Sequence, residues 1–385
     1  MKWCRPLLVL LLASRILNGQ TFDAGGYGKY LFSHSSIPSM GSLDDHGLHG
    51  RLNTRLYLTT TVTAALEIRV RAYYGDAVRR TPQFASAIRS PRELEGLDMF
   101  LWESASSVGY AEVDRFWAEW TMENLQITAG RQRIALGTNL VWNPIDLFNP
   151  YSILDFDYAE RPGSDAVRMQ YFLGPLSKID AAFKPGRTSS RSTAFLSWTG
   201  NAFDYDVHVV TGLRGKAWMG GGAWAGDIGG GGFRGEILIS ERPETDAPFP
   251  IYPDAAAGGM VSCAVSGDYT FPNSLYLHVE VLYNTEGVTA DVAAFRDAAA
   301  ALGLLSPARW SLFGELSYSF TPLVRASLFV IQNPSDASRV VVPSVTWSAL
   351  ESIDLTLIGL LFDGVPSTEF GGYGASMYAR VAWAF

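Results

Sequence analysis

Through most of its length the chain alternates apolar and polar residues at period two, in stretches of about ten residues. Gly50, Leu52, Thr54, Leu56 and Leu58 oppose His49, Arg51, Asn53, Arg55 and Tyr57. Leu66, Ile68, Val70 and Ala72 oppose Glu67, Arg69 and Arg71, and Val167, Met169, Tyr171 and Leu173 oppose Arg168 and Gln170. The same alternation runs through Ile179 to Lys184, Phe203 to Val209, Leu275 to Val281, Trp310 to Phe320 and Val324 to Val330, with the charges kept to one face each time. At the carboxy-terminus Met377, Ala379, Val381, Trp383 and Phe385 share a face against Ser376, Tyr378 and Arg380. Period two is strand geometry, and about ten residues is what a tilted strand needs to cross a bilayer. The pattern predicts an all-β transmembrane antiparallel barrel of about eighteen strands, with sixteen as the other count it accommodates.

The connections test that reading, because such barrels have short periplasmic turns and longer outer loops. Working back from Phe385, short links fall near Leu350 to Ser352, Thr321 to Pro322, Pro272 to Ser274, Ala225 to Gly230, Thr199 to Ala202, Gly174 to Ser177, Trp120 to Asn124 and Val62 to Ala64. Between them come longer connections: His34 to His46, Gly75 to Ser107, Gly137 to Ser164, Glu241 to Gly258, Thr285 to Ala308 and Asp363 to Gly371. The strict alternation implies an even strand number with both termini periplasmic. Two outer links, near Arg187 and Asn333, are short for that side, and the Gly-rich hairpin around Gly229 to Gly232 gives the weakest strand signal. Val292, Phe295, Ala299 and Leu302 fall on one helical face, predicting a short helix in an outer loop. About ten residues separate Gln20 from the first predicted strand, too few for the globular plug of a TonB-dependent transporter.

The amino-terminus carries the order of a secretory signal: Lys2 and Arg5, the apolar run Leu7 to Ala13, then small and polar residues. Cleavage after Gly19 divides the chain into a signal, 1–19, and a single barrel domain, 20–385. Arg15 makes the apolar run too short to span a bilayer as a helix, and Arg296 and Asp297 interrupt the Ala-rich stretch, so any membrane crossing is by strands. Charged residues are only 18% against 48% hydrophobic, as when every second strand residue meets lipid. Loss of Lys2, Arg5 and Arg15 leaves 27 basic against 38 acidic residues, a balance of −11 that argues against a nucleic-acid partner. Cys4 leaves with the signal and Cys263 shares its strand's apolar face with Val261 and Val265, so no internal disulfide is expected. A soluble β-sandwich would alternate too. The signal, the aromatic terminus and an apolar content too modest for a two-sheet core argue against it.

Two segments carry a resemblance. A strand that ends the chain on Phe385 resembles the terminal strand of bacterial outer-membrane barrels, which implies that Phe385 is read by the barrel-assembly machinery. The segment from Ala129 to Tyr151, AGRQRIALGTNLVWNPIDLFNPY, resembles porin-like outer-membrane barrels, with alginate-export channels as distant relatives. The resemblance implies that Arg131 and Gln132 end a strand at the wall and that the loop beyond them folds against or into the pore. The residues agree: Asn143-Pro144 and Asn149-Pro150 fix turns, and Trp142, Ile145, Leu147, Phe148 and Tyr151 give an outer loop apolar material to bury. Asp146, Asp155, Asp157 and Glu160 then stand near a constriction, facing Arg51, Arg55, Arg69, Arg71, Arg168 and Arg325 of the wall beside Glu67. Such groups either set a transverse field on the solute or neutralise one another and merely tile the lumen.

The expected function is an outer-membrane channel for small hydrophilic solutes or ions. A plugged, structural or adhesive barrel is the alternative. A hydrolase is a more distant one, since His208 beside Asp206 and His278 beside Glu280 read as polar lining and no serine motif accompanies them. No cofactor is expected. Asp44, Asp45, His46 and His49 match no established metal-site spacing, and Gly220 to Gly222 and Gly229 to Gly232 lack the context of a phosphate loop. Expected partners are outer-membrane lipid and lipopolysaccharide, the assembly machinery and the solutes, with self-association left open.

Overall fold

The fold follows from where period-two segments place their apolar faces, and a computed structural model describes it for residues 21–88, 96–148, 160, 162–243 and 259–385. The signal segment and Asp155 and Asp157 lie outside the described residues. In chain order the strands are β1 (Thr21–Ile37), β2 (Gly41–Tyr57), β3 (Val62–Gly75), β4 (Asp98–Glu103), β5 (Ser107–Met122), β6 (Leu125–Gln132), β7 (Ser164–Gly174), β8 (Ser177–Lys184), β9 (Thr193–Ala202) and β10 (Tyr205–Arg214). They continue as β11 (Ala217–Ile228), β12 (Gly231–Ser240), β13 (Met260–Thr270), β14 (Leu275–Asn284), β15 (Trp310–Thr321), β16 (Val324–Gln332), β17 (Arg339–Leu350), β18 (Ile353–Asp363) and β19 (Ala375–Ala384).

Each wall strand pairs antiparallel with its neighbours and β19 pairs back onto β1, so the wall is a closed barrel of 18 strands. The remaining strand, β4, is a patch. The far edge of β5 pairs with β6 over Phe116 to Met122 and with β4 over Val108 to Glu112, so β4 occupies the wall above the point where β6 stops.

Exposure alternates as a lipid-facing wall requires. In β14, Leu277, Val279 and Val281 are exposed while His278, Glu280 and Leu282 are buried. The buried set points inward. Among the described residues no helix is long and apolar enough to cross a membrane.

Three expectations need correction. The stretch from His34 to His46 is no outer loop: β1 and β2 run on through it and turn at 38–40, where Met40 N donates to Ile37 O at 3.0 Å and Gly41 adopts φ +76°. Above the bilayer a strand has no need of an apolar face, so its polar residues look like loop. The first strand begins at Thr21, directly after Gln20. Its Gly25, Gly26 and Gly28 weaken the alternation, yet pairing to β2 and β19 on both sides holds it. The turns expected at Val62 to Ala64 and Thr199 to Ala202 fall at 58–61 and at Phe203-Asp204, the latter with φ of 55° and 64°. These φ values are unusual for residues other than glycine, so nothing in the composition marked that turn. The Ala-rich outer stretch forms a short 3-10 turn, Val292–Phe295, and a helix, Arg296–Leu302, burying Val292, Phe295 and Ala299.

Candidate pore-lining site

The interior has two unlike halves. On β2, β3 and β5, period two brings Arg51, Glu67, Arg69 and Glu112 to the inner face. A bulge in β5 adds one more: Glu67 pairs with Arg115 and Ile68 with Val113, leaving Asp114 as the extra residue. Two consecutive charges, Asp114 and Arg115, therefore reach the interior. Arg51 bonds both Glu67 and Asp114, its Nε donates to Asn53 Oδ1 at 2.8 Å, and Glu160 stands 3.9 Å away. Arg69 donates to Glu112 at 2.7 Å and Arg115 lies 3.3 Å from Glu67. Tyr27 on β1 donates its hydroxyl proton to Glu160 at 2.9 Å. Arg51, Arg69 and Asp114 are all buried, so each charge depends on its partners to offset desolvation.

The rest of the inner wall carries two large apolar clusters among its polar residues, which is unusual for a barrel lumen. Inward residues of β7 to β11, Ala166, Ala182, Phe195, Val210, Met219 and Ala223, pack with Ile134, Leu136, Ile145, Leu147 and Phe148. Those of β13 to β18, including Ala264, Leu282, Phe313, Ile331, Val340, Val342, Ile358 and Leu360, pack with Val141 and Trp142. Residues 133–148 thus leave β6 and lie against the inner wall, with Trp142 edge-on to Phe313 and Phe148 edge-on to Phe195.

Two buried wall carboxylates hold this segment by its backbone. Glu236 on β12 accepts from Thr138 N at 2.6 Å, Asn139 N at 2.9 Å and Ile145 N at 3.2 Å. Glu280 on β14 accepts from Val141 N at 3.1 Å and Trp142 N at 2.6 Å. His208 Nδ1 donates to Leu136 O at 3.0 Å, and Ser266 Oγ donates to Asn139 Oδ1 at 2.9 Å. Gly137 sits so close to Asn143 that a Cβ there would lie 2.0 Å from Asn143 Oδ1.

At the outer mouth three connections meet over Glu369. Its Oε1 accepts from Ser306 Oγ at 3.0 Å, its N–H donates to Asp336 Oδ2 at 2.8 Å, and Arg296 donates to its carbonyl. Burial, with Asp336 adding to it, pushes the Glu369 carboxyl up to about 7. The neighbouring Phe370 joins the cluster around Trp142.

The residues singled out from sequence fall as follows. Arg51, Glu67 and Arg69 come together, Arg71 donates to Tyr73 at 3.3 Å, and Arg55 lies over the Trp117 ring at 5.9 Å. Arg168 pairs with Asp180 at 2.5 Å on β8, and Arg325 donates to Ser317 at 2.7 Å beside Glu315 at 3.7 Å. Trp142 and Asp146 are buried in the inserted segment. Glu160 faces Arg51 and Tyr27. Asp114, Glu112, Arg115 and Glu236 were not singled out from sequence, and Glu280 was read only as lining. Phe385 ends β19's line and exchanges backbone hydrogen bonds with Gly26 at 2.9 and 3.0 Å. Asp44 and Asp45, adjacent on β2, are split to opposite faces, and among the described residues no group of three potential metal ligands forms.

No family model matches the chain, and no curated protein sequence matches it. Its fold is that of outer-membrane porins. OccAB3 of Acinetobacter baumannii superposes with a TM-score of 0.57 at 9% identity, over 94% of this chain and 99% of that one. OccK7 (OpdD) of Pseudomonas aeruginosa gives 0.55 at 8% identity over 94% and 98%. Salmonella typhi OmpF, solved with daunomycin, gives 0.50 at 13% identity over 95% and 98%.

Proposed function

We propose that this chain is an outer-membrane channel through which small hydrophilic solutes or ions diffuse, and that it is not an enzyme. The observation that carries this reading is the asymmetry of the interior. A wall of 18 strands encloses more space than side chains alone fill, and the inserted segment packs against the apolar clusters on the inner face of β7 to β18. The charged inner face of β1 to β5 then lines the passage, with Arg51, Arg55, Glu67, Arg69 and Arg71 there and Arg168 and Arg325 on other strands. In this reading Trp142 and Asp146 belong to the constriction loop and Glu160 closes it toward Arg51, with Asp155 and Asp157 on the same stretch of chain.

The Arg51, Arg69 and Arg115 guanidiniums meet Glu67, Glu112 and Asp114 of neighbouring strands, so the field across the passage is short-ranged and local. Export by the amino-terminal signal, recognition of Phe385 by the assembly machinery, and contact with lipid and lipopolysaccharide belong to the same proposal.

Single-channel conductance and reversal potential of refolded protein in planar bilayers under a salt gradient test it. Stepwise ion-selective conductance that changes in Arg69→Ala, Arg71→Ala or Asp146→Asn is the expected result. A folded, heat-modifiable barrel that never conducts would overturn the channel and leave a plugged or adhesive barrel.

A further inference from the structure

Below the paired arginines, the inner wall of β1 to β3 opens into a cavity of about 260 Å³ lined by Asp23, Ala24, Gly25, Asn53, Thr54, Arg55 and Glu67. Its charges are unevenly used. Glu67 is already held by Arg51 and Arg115, and Asn53 Oδ1 takes the Arg51 Nε proton. Asp23 and Arg55 stand directly opposite one another in the β1–β2 register, where cross-strand neighbours ordinarily pair, yet no ion pair joins them among the described residues. Arg55 leans the other way, its guanidinium 5.9 Å from the centre of the Trp117 ring on β5. Stacking on an aromatic face restrains the planar fork and leaves its N–H edge available for a bidentate partner. A carboxylate and a guanidinium, both uncommitted, therefore share one cavity floored by residues as small as Ala24 and Gly25.

We propose that Asp23 and Arg55 form a binding subsite for small zwitterions, molecules carrying an ammonium and a carboxylate a few atoms apart. The ammonium pairs with Asp23 and the carboxylate takes the Arg55 fork, the stronger, charge-assisted geometry. The volume lies just under the roughly 300–1,000 Å³ of drug-sized sites, which leaves room for a small zwitterion between the two charges. The inference rests on the channel reading for the solute's route to the site, but its binding is measured without current.

Refolded full-length protein in detergent is titrated with glycine, acetate and methylammonium, with binding followed by saturation-transfer NMR. Glycine is expected at a dissociation constant on the order of millimolar, about tenfold tighter than either half-ligand. Asp23→Asn then brings glycine down to the level of acetate, and Arg55→Gln brings it down to the level of methylammonium. Equal binding of all three probes by the unaltered protein, or glycine binding that both variants leave intact, would overturn the subsite. Glycine preference in a protein that never conducts overturns the channel and keeps the subsite. Conductance without glycine preference does the reverse.

Discussion

Glu236 and Glu280 seat the inserted segment, because each carboxylate satisfies backbone N–H groups that are buried against the wall. Glu236→Gln swaps one acceptor oxygen for an NH2 group that meets an N–H it formerly bonded. We expect this to cost about 1–3 kcal/mol and to raise cleavage of the 133–148 segment by added protease several-fold, while the wall stays heat-modifiable. Unchanged cleavage would show that apolar packing alone seats the segment. Arg51→Ala should cost more, about 3–5 kcal/mol, since Glu67 and Asp114 are left buried without it; denaturant unfolding against Arg55→Ala, an exposed position, checks this. Arg51 and Arg69 were legible because they keep strict period two on β2 and β3. Asp114 and Arg115 were not: one bulge shifts the phase, and no local composition announces it. Glu236 was missed because a single inward acid on a Gly-rich strand reads as lumen lining until its partners, about a hundred residues away in the chain, are placed.

Single strands carry a clue that alternation alone conceals. In β17, Val340, Val341 and Val342 are apolar on both faces, and β18 repeats this with Ile358, Leu360, Leu361 and Phe362. A wall strand needs one apolar face for lipid, so a second one signals apolar material inside the barrel. Strand number and the order of short and long links were legible since each rests on local pattern. The extended β1–β2 hairpin was not, because its upper part lies beyond lipid, and β4 was not, because it pairs only where β6 leaves room. The outer connections add a pH dependence. Glu369 titrates near 7 in the folded mouth against an ordinary 4.5, so the packing of 364–374 is fully stabilised below about pH 4.5 and loses that contribution as pH rises through about 7, close to 3 kcal/mol in all. Asp336 and Arg296 face the same group, and neither removes the burial that drives the shift. Hydrogen exchange across 364–374 should quicken between pH 5 and 8 beyond its intrinsic rise. Glu369→Gln should flatten that excess, and an excess persisting in the variant would assign it to another group.

For the molecule as a whole, closure and filling are separate problems solved by separate stretches of chain. Closure comes from β1 paired to β19 along Tyr27 to Ser36, with the terminal residue locked to Gly26, so the wall is complete without help from the interior. Filling comes from 133–148, whose apolar side chains each contribute roughly 1.5–3 kcal/mol on burial against the inner wall. Replacing 135–148 by a short Gly/Ser linker should therefore leave a heat-modifiable barrel with lower thermal stability, and bare the ring of Phe313, Leu282 and Phe195 to water. If the segment limits passage, conductance per channel rises several-fold and selectivity comes to depend on Arg168 and Arg325 as well as on the β1 to β5 face. If conductance is unchanged while stability falls, the passage runs wholly along the charged half and the segment serves as internal packing. The Glu236→Gln variant arbitrates between these results, because it loosens the segment without removing its bulk: a gate responds with flickering current, and packing responds with stability alone.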